Sequence, residues 1–224
     1  MKTFPFPDKA ASMTELERDL HYPRIPVQER EHALNKAWDI GAKAAKDLLA
    51  RYPGKKASQI AETEGLVVEH VEKDHVVGKV RYFSEYYSNR KKIILYTSSI
   101  RLWAKNNKVG FGEACELILA HEMFHYLECT YIGLTSQQYT LPRIQIGGLA
   151  LGKVGIRALS EIGAHGFART FYEEQGLLPQ TDSKILLQNR AVNEMELVGR
   201  ERVRKIFEDN PLLRLFGGAK GDRQ

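Results

Sequence analysis

The chain lacks the marks of secreted, membrane-spanning and disulfide-stabilised proteins. Only two cysteines occur among its 224 residues. No apolar run approaches the length of about 18 residues that a membrane span needs. The N-terminal stretch "MKTFPFPDKAASMTELERD" contains no apolar core of a secretory signal. Internal repeats and low-complexity segments are also missing from the sequence. These absences predict a cytoplasmic protein that does not enter a membrane.

The two cysteines cannot pair with each other if they share a helix, as their surroundings predict. Cys115 and Cys129 are 14 residues apart, which corresponds to about 21 Å along a helix axis. A disulfide requires Cα atoms within about 7 Å of each other. The sequence therefore predicts two free, buried thiols, as is typical of proteins in a reducing compartment.

Neither sign of charge is in large excess. The formal net charge is +5, from 33 basic and 28 acidic residues that are interspersed along the chain. A group of basic residues near the first helical stretch is the one hint of nucleic-acid contact, and a solvated helix face also explains it. Its members are Lys36, Lys43, Lys46, Arg51, Lys55 and Lys56. Because no helix-turn-helix pattern is recognisable, we do not expect direct binding of nucleic acid.

Four segments of different character follow one another along the chain. Residues 1–28 contain four of the eight prolines and predict an extended N-terminal arm with one short helix. Residues 29–180 mix helix and strand patterns and form the expected main domain. A charged C-terminal helical extension is predicted over residues 181–216. The glycine-containing tail over residues 217–224 is expected to be disordered.

The main domain is predicted to have an α+β fold, with a small antiparallel three-stranded sheet packed on a helical core. Helical periodicity and β-prone runs alternate along it, and a long glycine-rich connection over residues 130–156 interrupts them. The predicted helices are Gln28–Arg51, Ala57–Gly65, Ser98–Lys105, Gly112–Cys129 and Arg157–Gln175. The predicted strands are Leu66–Val71, Val76–Tyr87 and Lys92–Thr97, with a hairpin turn at Ser88–Lys91.

The stretch "CELILAHEMFHYLEC", residues 115–129, carries His121 and His125 one helical turn apart. The helix is apolar nearly all round, which predicts that it is buried. Imidazoles at this spacing have Cβ atoms about 5–6 Å apart and can reach one cation. Glu122 lies about 100° round the helix from His121, where it can reach a water on that cation rather than the cation itself. The H-E-x-x-H pattern thus predicts a metal-dependent hydrolase, and the alternative is a buried, hydrogen-bonded pair of histidines.

A catalytic zinc takes three protein ligands and leaves one position open. In "ALSEIGAHGFARTFY", residues 158–172, Glu161 and His165 lie one turn apart. Glu161 is the predicted third ligand. His165 is a weak ligand, a donor to the transition state or a residue that orients a ligand. A satisfied histidine at a helix interface is an equal alternative.

Glu128 is the rival of Glu161 as third ligand. It lies seven residues beyond His121, about 10 Å along the helix axis. That distance suits a carboxylate that orients His125 better than one that binds the ion. Zinc is the expected ion, and manganese or iron also accept two imidazoles and a carboxylate.

The motifs "LILAHEMFHYLE" (Leu117–Glu128) and "EIGAHGFA" (Glu161–Ala168), with the β segments before them, resemble the ImmA/IrrE family of gluzincin-like metallopeptidases. The resemblance extends from Ala33 to about Pro179 and implies a zincin-type helical core with a zinc-binding Glu161. His165 stands where that family usually has Asn or Asp, and the glycine-rich gap between the motifs is long. Similar proteins typically cleave a helix-turn-helix repressor or antitoxin encoded nearby.

Residues and resemblance together predict a zinc-dependent endopeptidase that acts on a protein substrate, with Glu122 as general base. The alternative is a non-cleaving, zinc-stabilised regulatory protein that binds a protein or DNA partner. A substrate peptide could add a strand to the sheet edge near Val76–Tyr87. The oxyanion donor stays open among four candidates. These are His165, Tyr131, Tyr139 and Arg143.

Overall fold

The computed structural model describes residues 2–3, 5–78, 80–146, 148–177 and 181–182, and at 2–3, 80, 145–146 and 181–182 it describes the backbone alone. Helices and short strands are mixed along these ranges, so the fold is of the α+β class. The helices are α1 (Met13–Glu17), α2 (Val27–Arg51), α3 (Ala57–Thr63), α4 (Thr97–Asn107), α5 (Phe111–Leu127) and α6 (Ala158–Glu174). The strands are β1 (Lys2–Thr3), β2 (Val67–Val71), β3 (His75–Val77), β4 (Val80–Tyr82), β5 (Ser84–Tyr87), β6 (Lys92–Tyr96), β7 (Thr140–Ile146), β8 (Leu149–Gly155) and β9 (Thr181–Asp182).

The main helices lie where the apolar periodicity predicts them. α2 and α6 match their predicted ranges to within one residue at each end. After α3 the chain turns at Gly65, whose φ of 71° lies in the left-handed region that glycine reaches without strain. α5 ends at Leu127 and continues as a π-helical turn over Glu128–Ile132.

The central sheet has three strands, but it is mixed rather than antiparallel. β6 lies in the middle, between β2 and β5. It pairs antiparallel with β5 across the turn predicted at Ser88–Lys91, and it pairs parallel with β2. The chain reverses direction twice between β2 and β6, so β6 runs parallel to β2 again. The antiparallel prediction was wrong because it treated consecutive strands as neighbours, whereas β6 is inserted between them.

Two hairpins were not predicted. The expected strand Val76–Tyr87 is divided, because β3 turns back onto β4 at Gly78, whose φ is 64°. Residues 130–156, expected to be a connection, include β7 and β8, which pair antiparallel from Thr140 and Gly155 to Ile146 and Leu149. Glycines and Pro142 interrupt the alternation of apolar residues in this stretch, so the sequence carried no clear strand signal.

Glycines let α6 pack closely on its neighbours. A Cβ placed on Gly41 of α2 would lie 1.9 Å from the carbonyl oxygen of Gly163, and a Cβ on Gly166 would lie 2.6 Å from the carbonyl oxygen of Trp38. On the opposite side, a Cβ on Gly163 would lie 2.6 Å from the ring of Phe124 on α5. The glycines lower helix propensity by about 1 kcal/mol each, but they allow α6 to contact both helices.

A buried carboxylate ties the ends of three elements together. Glu64, just after α3, accepts hydrogen bonds from the hydroxyls of Tyr52 at 2.8 Å, Tyr126 at 2.9 Å and Tyr131 at 3.1 Å. Arg51 lies 3.7 Å from the same carboxylate. Burial by itself raises the pKa of Glu64, but these hydroxyls and Arg51 outweigh it and hold the pKa below its usual value.

The largest apolar cluster surrounds α5, as its sequence predicts. Neither cysteine forms a disulfide within the described residues. Cys115 is buried within α5, and burial raises its pKa to about 11. Cys129 is exposed, which corrects the prediction of two buried thiols, because it lies in the π-helical turn where the chain leaves the core.

The predicted N-terminal arm lies largely within the described residues, whereas the predicted C-terminal segments lie largely outside them. The N-terminal arm contains α1 and a 3-10 turn over Tyr22–Arg24, so it is more helical than an extended arm. Residues 183–224 lie outside the described residues, and with them most of the predicted extension over 181–216 and the whole tail over 217–224. Among the helices that are described, none has the length and apolar character needed to cross a membrane.

Candidate metal centre

The two histidines of α5 face a carboxylate of α6. Nε2 of His121 lies 3.2 Å from Oε2 of Glu161, and Nε2 of His125 lies 3.6 Å from Oε1 of the same residue. The two Nε2 atoms are 3.3 Å apart. One ligand atom from each residue lies within 4.8 Å of the other two, and all three residues are buried. The group can therefore hold a metal ion.

The chemistry of these donors fits a divalent ion. Two imidazole nitrogens and one carboxylate oxygen are the donor set of many catalytic zinc sites. Burial by itself raises the pKa of Glu161, but the imidazoles of His125 and His121 outweigh it, so its pKa lies well below the usual range. Glu161 is therefore an ionised carboxylate, as a ligand must be.

Glu128 contacts His125, the residue that its position in the sequence led us to expect it to orient. Its Oε2 lies 3.0 Å from Nδ1 of His125, while its Oε1 accepts hydrogen bonds from the Thr135 backbone N–H at 2.7 Å and the Ser160 hydroxyl at 2.9 Å. Burial raises the pKa of Glu128, but its bond and charge interaction with His125 and its bonds at Thr135 outweigh this and lower it. Because an ionised carboxylate only accepts, Nδ1 of His125 donates to Glu128, and Nε2 is the ring nitrogen that faces the centre.

Glu122 follows His121 on α5 and is 1% exposed. The hydroxyl of Ser84, the first residue of β5, donates to Oε1 of Glu122 at 2.9 Å. A buried carboxylate without donors would be costly, and Ser84 supplies one of the hydrogen bonds that it needs. The contact places β5, an edge strand of the central sheet, directly beside the H-E-x-x-H helix.

His165 lies beside the three-residue group but is not part of it. Its ring centroid is 5.4 Å from that of His121, and it is 2% exposed. Neither of its ring nitrogens has a hydrogen-bond partner in the part of the chain that the structure describes. Burial, reinforced by His121, lowers the pKa of His165 to about 3, so the ring is neutral at physiological pH. The alternative of a satisfied histidine at a helix interface is therefore not what the structure contains.

The other candidate oxyanion donors are engaged elsewhere or face solvent. The Tyr131 hydroxyl donates to Glu64, and the residue is 59% exposed. The Tyr139 hydroxyl donates to Glu29 on α2 at 2.5 Å. Arg143 is exposed on β7. Of the four candidates, His165 alone lies at the centre.

Sequence reasoning missed two residues of this site. Ser84 was not predicted as a site residue, because a serine in a strand does not by itself indicate a functional role. A small polar residue within the aromatic run "YFSEYY" could have indicated one. Phe6 was assigned to an extended arm, yet its ring lies against His121, with centroids 5.9 Å apart. A contact between residues this far apart in the chain depends on tertiary packing, which periodicity does not report.

No protein-family model matches this chain, and comparisons with curated proteins and with solved structures also find no match. The resemblance of the two motifs to a metallopeptidase family therefore stays a prediction.

Proposed function

We propose that this protein is a zinc-dependent endopeptidase that hydrolyses a peptide bond in a protein substrate. The observation that carries the proposal is the convergence of His121, His125 and Glu161 within 4.8 Å of one another. Glu122 follows the first of these ligands directly on the same buried helix. This combination of two imidazoles, a carboxylate ligand and an adjacent carboxylate is what metal-dependent peptide hydrolysis requires.

The three residues would hold the ion and leave a position for water. The described residues offer three ligand atoms to it, and His165 is not among them, which favours an open site over a closed structural one. When bound, zinc acts as a Lewis acid that polarises a carbonyl and lowers the pKa of a water to about 7. Manganese and iron remain alternatives for the same donor set.

Glu122 is the proposed general base. It takes a proton from the attacking water and later delivers it to the leaving amine, a role that contributes about 10²–10⁴-fold to a rate. Ser84 holds one of its carboxylate oxygens and thereby orients the group. Glu128, held in turn by Thr135 and Ser160, keeps the ring of His125 in place.

His165 is the proposed donor to the oxyanion that forms on the attacked carbonyl. A neutral imidazole carries one N–H, and that of His165 has no partner among the described residues. A donor already placed beside the reacting group and shielded from water stabilises developing charge with little reorganisation. A His165→Ala variant should therefore lose turnover while it keeps its metal.

The proposed substrate is a peptide segment that adds to the sheet beside β5. β5 is an edge strand, and Ser84 on it contacts Glu122, so a peptide bound there passes close to the general base. Edge addition recognises an extended segment through its backbone. The resemblance described above favours a helix-turn-helix repressor or antitoxin encoded nearby as the protein that carries it.

Burial of the centre supports a second candidate, the non-cleaving zinc-stabilised regulator that binds a protein or DNA partner. None of the six site residues is more than 8% exposed, as is also expected where a metal only stabilises a fold. These residues are His121, Glu122, His125, Glu128, Glu161 and His165. The two candidates differ in one measurable property, which is the cleavage of a partner protein.

The deciding experiment uses the purified, zinc-loaded chain and a repressor-like protein encoded beside it. A fragment that appears with wild type, disappears with a chelator and is absent with Glu122→Gln supports the peptidase. Glu31→Gln, an exposed position on α2, is the matched control and should cleave as wild type does. Equal cleavage by Glu122→Gln and wild type would remove Glu122 as the base. Tight binding of the partner without any fragment would favour the regulator.

A further inference from the structure

The N-terminal arm places an aromatic side chain against the candidate metal centre. Phe6 is 2% exposed, and its ring centroid lies 5.9 Å from that of His121 and 6.1 Å from that of His165. The third aromatic neighbour is Trp103 of α4, at 5.7 Å, and Phe83 contacts Trp103 edge-on at 6.3 Å. The pocket around Phe6 is therefore lined by aromatic rings, two of which belong to the site itself.

The backbone around Phe6 is suited to deliver this side chain without forming a strand. Pro5 and Pro7 flank it, and neither has an N–H to donate. The arm is tied on both sides of this segment instead. Lys2–Thr3 pair with Thr181–Asp182, and Asp8 accepts hydrogen bonds from the backbone of the turn that precedes α1. Phe6 thus docks by contacts of its ring with Trp103, His121 and His165.

A peptide substrate cannot reach the centre while every site residue is covered. The arm is the covering segment that costs least to move, because residues 5–12 belong to no helix or strand, and such segments open at a low free energy. The helices that form the rest of the enclosure are held by close backbone packing, as at Gly41 and Gly163. Opening of the arm would uncover the face of His121 and His165.

We propose that the pocket holding Phe6 binds a large apolar side chain of an incoming peptide, aromatic by preference, and that Phe6 is its built-in occupant, displaced when the peptide binds. The inference rests on the proposed function for the statement that the ligand is a peptide. The ring walls of the pocket favour stacking with another aromatic ring.

The arm is then an intramolecular competitor. A tethered group acts at an effective concentration in the millimolar range when its linker is short. A peptide that binds the emptied pocket must outcompete this group in wild type, but not in a variant that lacks the Phe6 ring. The arm therefore both closes the site and restricts it to segments that bind more tightly than the arm does.

The test measures binding of a dye-labelled peptide with the sequence PFPDKA, copied from residues 5–10, to the full chain by fluorescence anisotropy. Phe6→Ala should bind this peptide at least about 10-fold more tightly than wild type does, because the variant lacks the competing ring. The peptide PAPDKA lacks the ring that would enter the pocket, so it should bind Phe6→Ala at least about 10-fold more weakly than PFPDKA does. Equal binding of PFPDKA to wild type and variant, or equal binding of the two peptides, would overturn the proposal.

A second readout follows the release of zinc to a chelator. Phe6→Ala should release zinc faster than wild type, because the arm no longer covers His121. Phe111→Ala is the matched control, since Phe111 begins α5 and lies about 15 Å along the helix from His121. Phe6→Leu keeps an apolar side chain in the pocket and should give intermediate peptide affinity, so it replaces Phe6→Ala if that variant does not fold. Release as fast from Phe111→Ala as from Phe6→Ala would count against the arm as a cover.

Neither measurement requires cleavage, so the two proposals fail separately. A chain that binds PFPDKA as expected but cleaves no partner protein retains the pocket and loses the peptidase assignment. A chain that cleaves its partner equally fast with and without the Phe6 ring, and binds PFPDKA equally, retains the peptidase and loses the pocket.

Discussion

Thermal stabilisation by zinc measures the candidate centre directly. A ligand that binds only the native state raises the free energy of unfolding by about 4.1 kcal/mol at 1,000 times its Kd. In a chain of 224 residues, each kcal/mol shifts Tm by about 2–4 °C, so zinc should raise Tm by about 8–16 °C. Glu161→Ala removes one of the three converging ligands. If affinity falls about 100-fold, the same zinc contributes about 1.4 kcal/mol, or about 3–6 °C.

The assay is differential scanning fluorimetry of metal-free protein with and without a fixed concentration of free zinc. The zinc-induced shift is compared rather than Tm itself, because Glu161 also contacts both histidines without the ion. Glu173→Ala is the control on the same helix, since its ion pair with Arg169 is partly exposed to solvent and contributes at most about 1 kcal/mol. A full zinc shift in Glu161→Ala would refute the assignment of Glu161 as a ligand.

Four further changes test separate parts of the structure. Glu122→Gln should keep zinc and lose about 10²–10⁴-fold in the rate of substrate cleavage, followed on gels. Glu128→Ala should weaken zinc affinity about 10–100-fold in competition with a chelator, because a ligand histidine loses its acceptor. Gly41→Ala should lower the free energy of unfolding in urea by about 1–3 kcal/mol or more, since its methyl would lie 1.9 Å from the Gly163 carbonyl oxygen. Glu64→Gln should make stability less dependent on pH in the acid range. The native pKa of Glu64 is lowered, so its contribution is complete above its unfolded pKa of about 4.3 and is lost as the pH falls through the native pKa.

Each of these changes has a control or an opposing result. Gly112→Ala, where a built Cβ meets no atom within 4 Å, should leave stability nearly unchanged, and an equal loss there would contradict the packing argument. Unchanged zinc affinity in Glu128→Ala would mean that His125 is held by other contacts. For Glu64, urea unfolding at about pH 6 and pH 4 should separate wild type from the glutamine variant. Parallel pH profiles would show that the tyrosine hydroxyls do not set its ionisation.

The helices and the spacing of the two histidines were accessible from the sequence because both depend on local periodicity. Val27–Arg51 and Ala158–Glu174 follow apolar periodicity closely. The separation of His121 and His125 places both rings on one side of any helix. Glu128 was placed beside His125 by the same rule, and the structure contains that contact at 3.0 Å.

The errors concern contacts between distant segments. The parallel pairing of β2 with β6 depends on which strand is inserted between the others. Cys129 was expected to be buried because a continued α-helix would keep it against the core, whereas the chain forms a π-helical turn and leaves it. Phe6 was read as part of an arm because nothing within five residues of it indicates the pocket that it fills.

The amino-acid sequence alone specifies a buried helix with two imidazoles and an adjacent carboxylate, because the geometry of a helix repeats every few residues and does not depend on distant segments. It does not specify that Glu161, forty residues away, meets them. That meeting depends on α6 packing closely against α2 and α5, where Gly41 and Gly163 leave room for backbone to approach backbone. Steric fit between helices is a property of three-dimensional packing, and the same packing brings Ser84 and Phe6 to the centre.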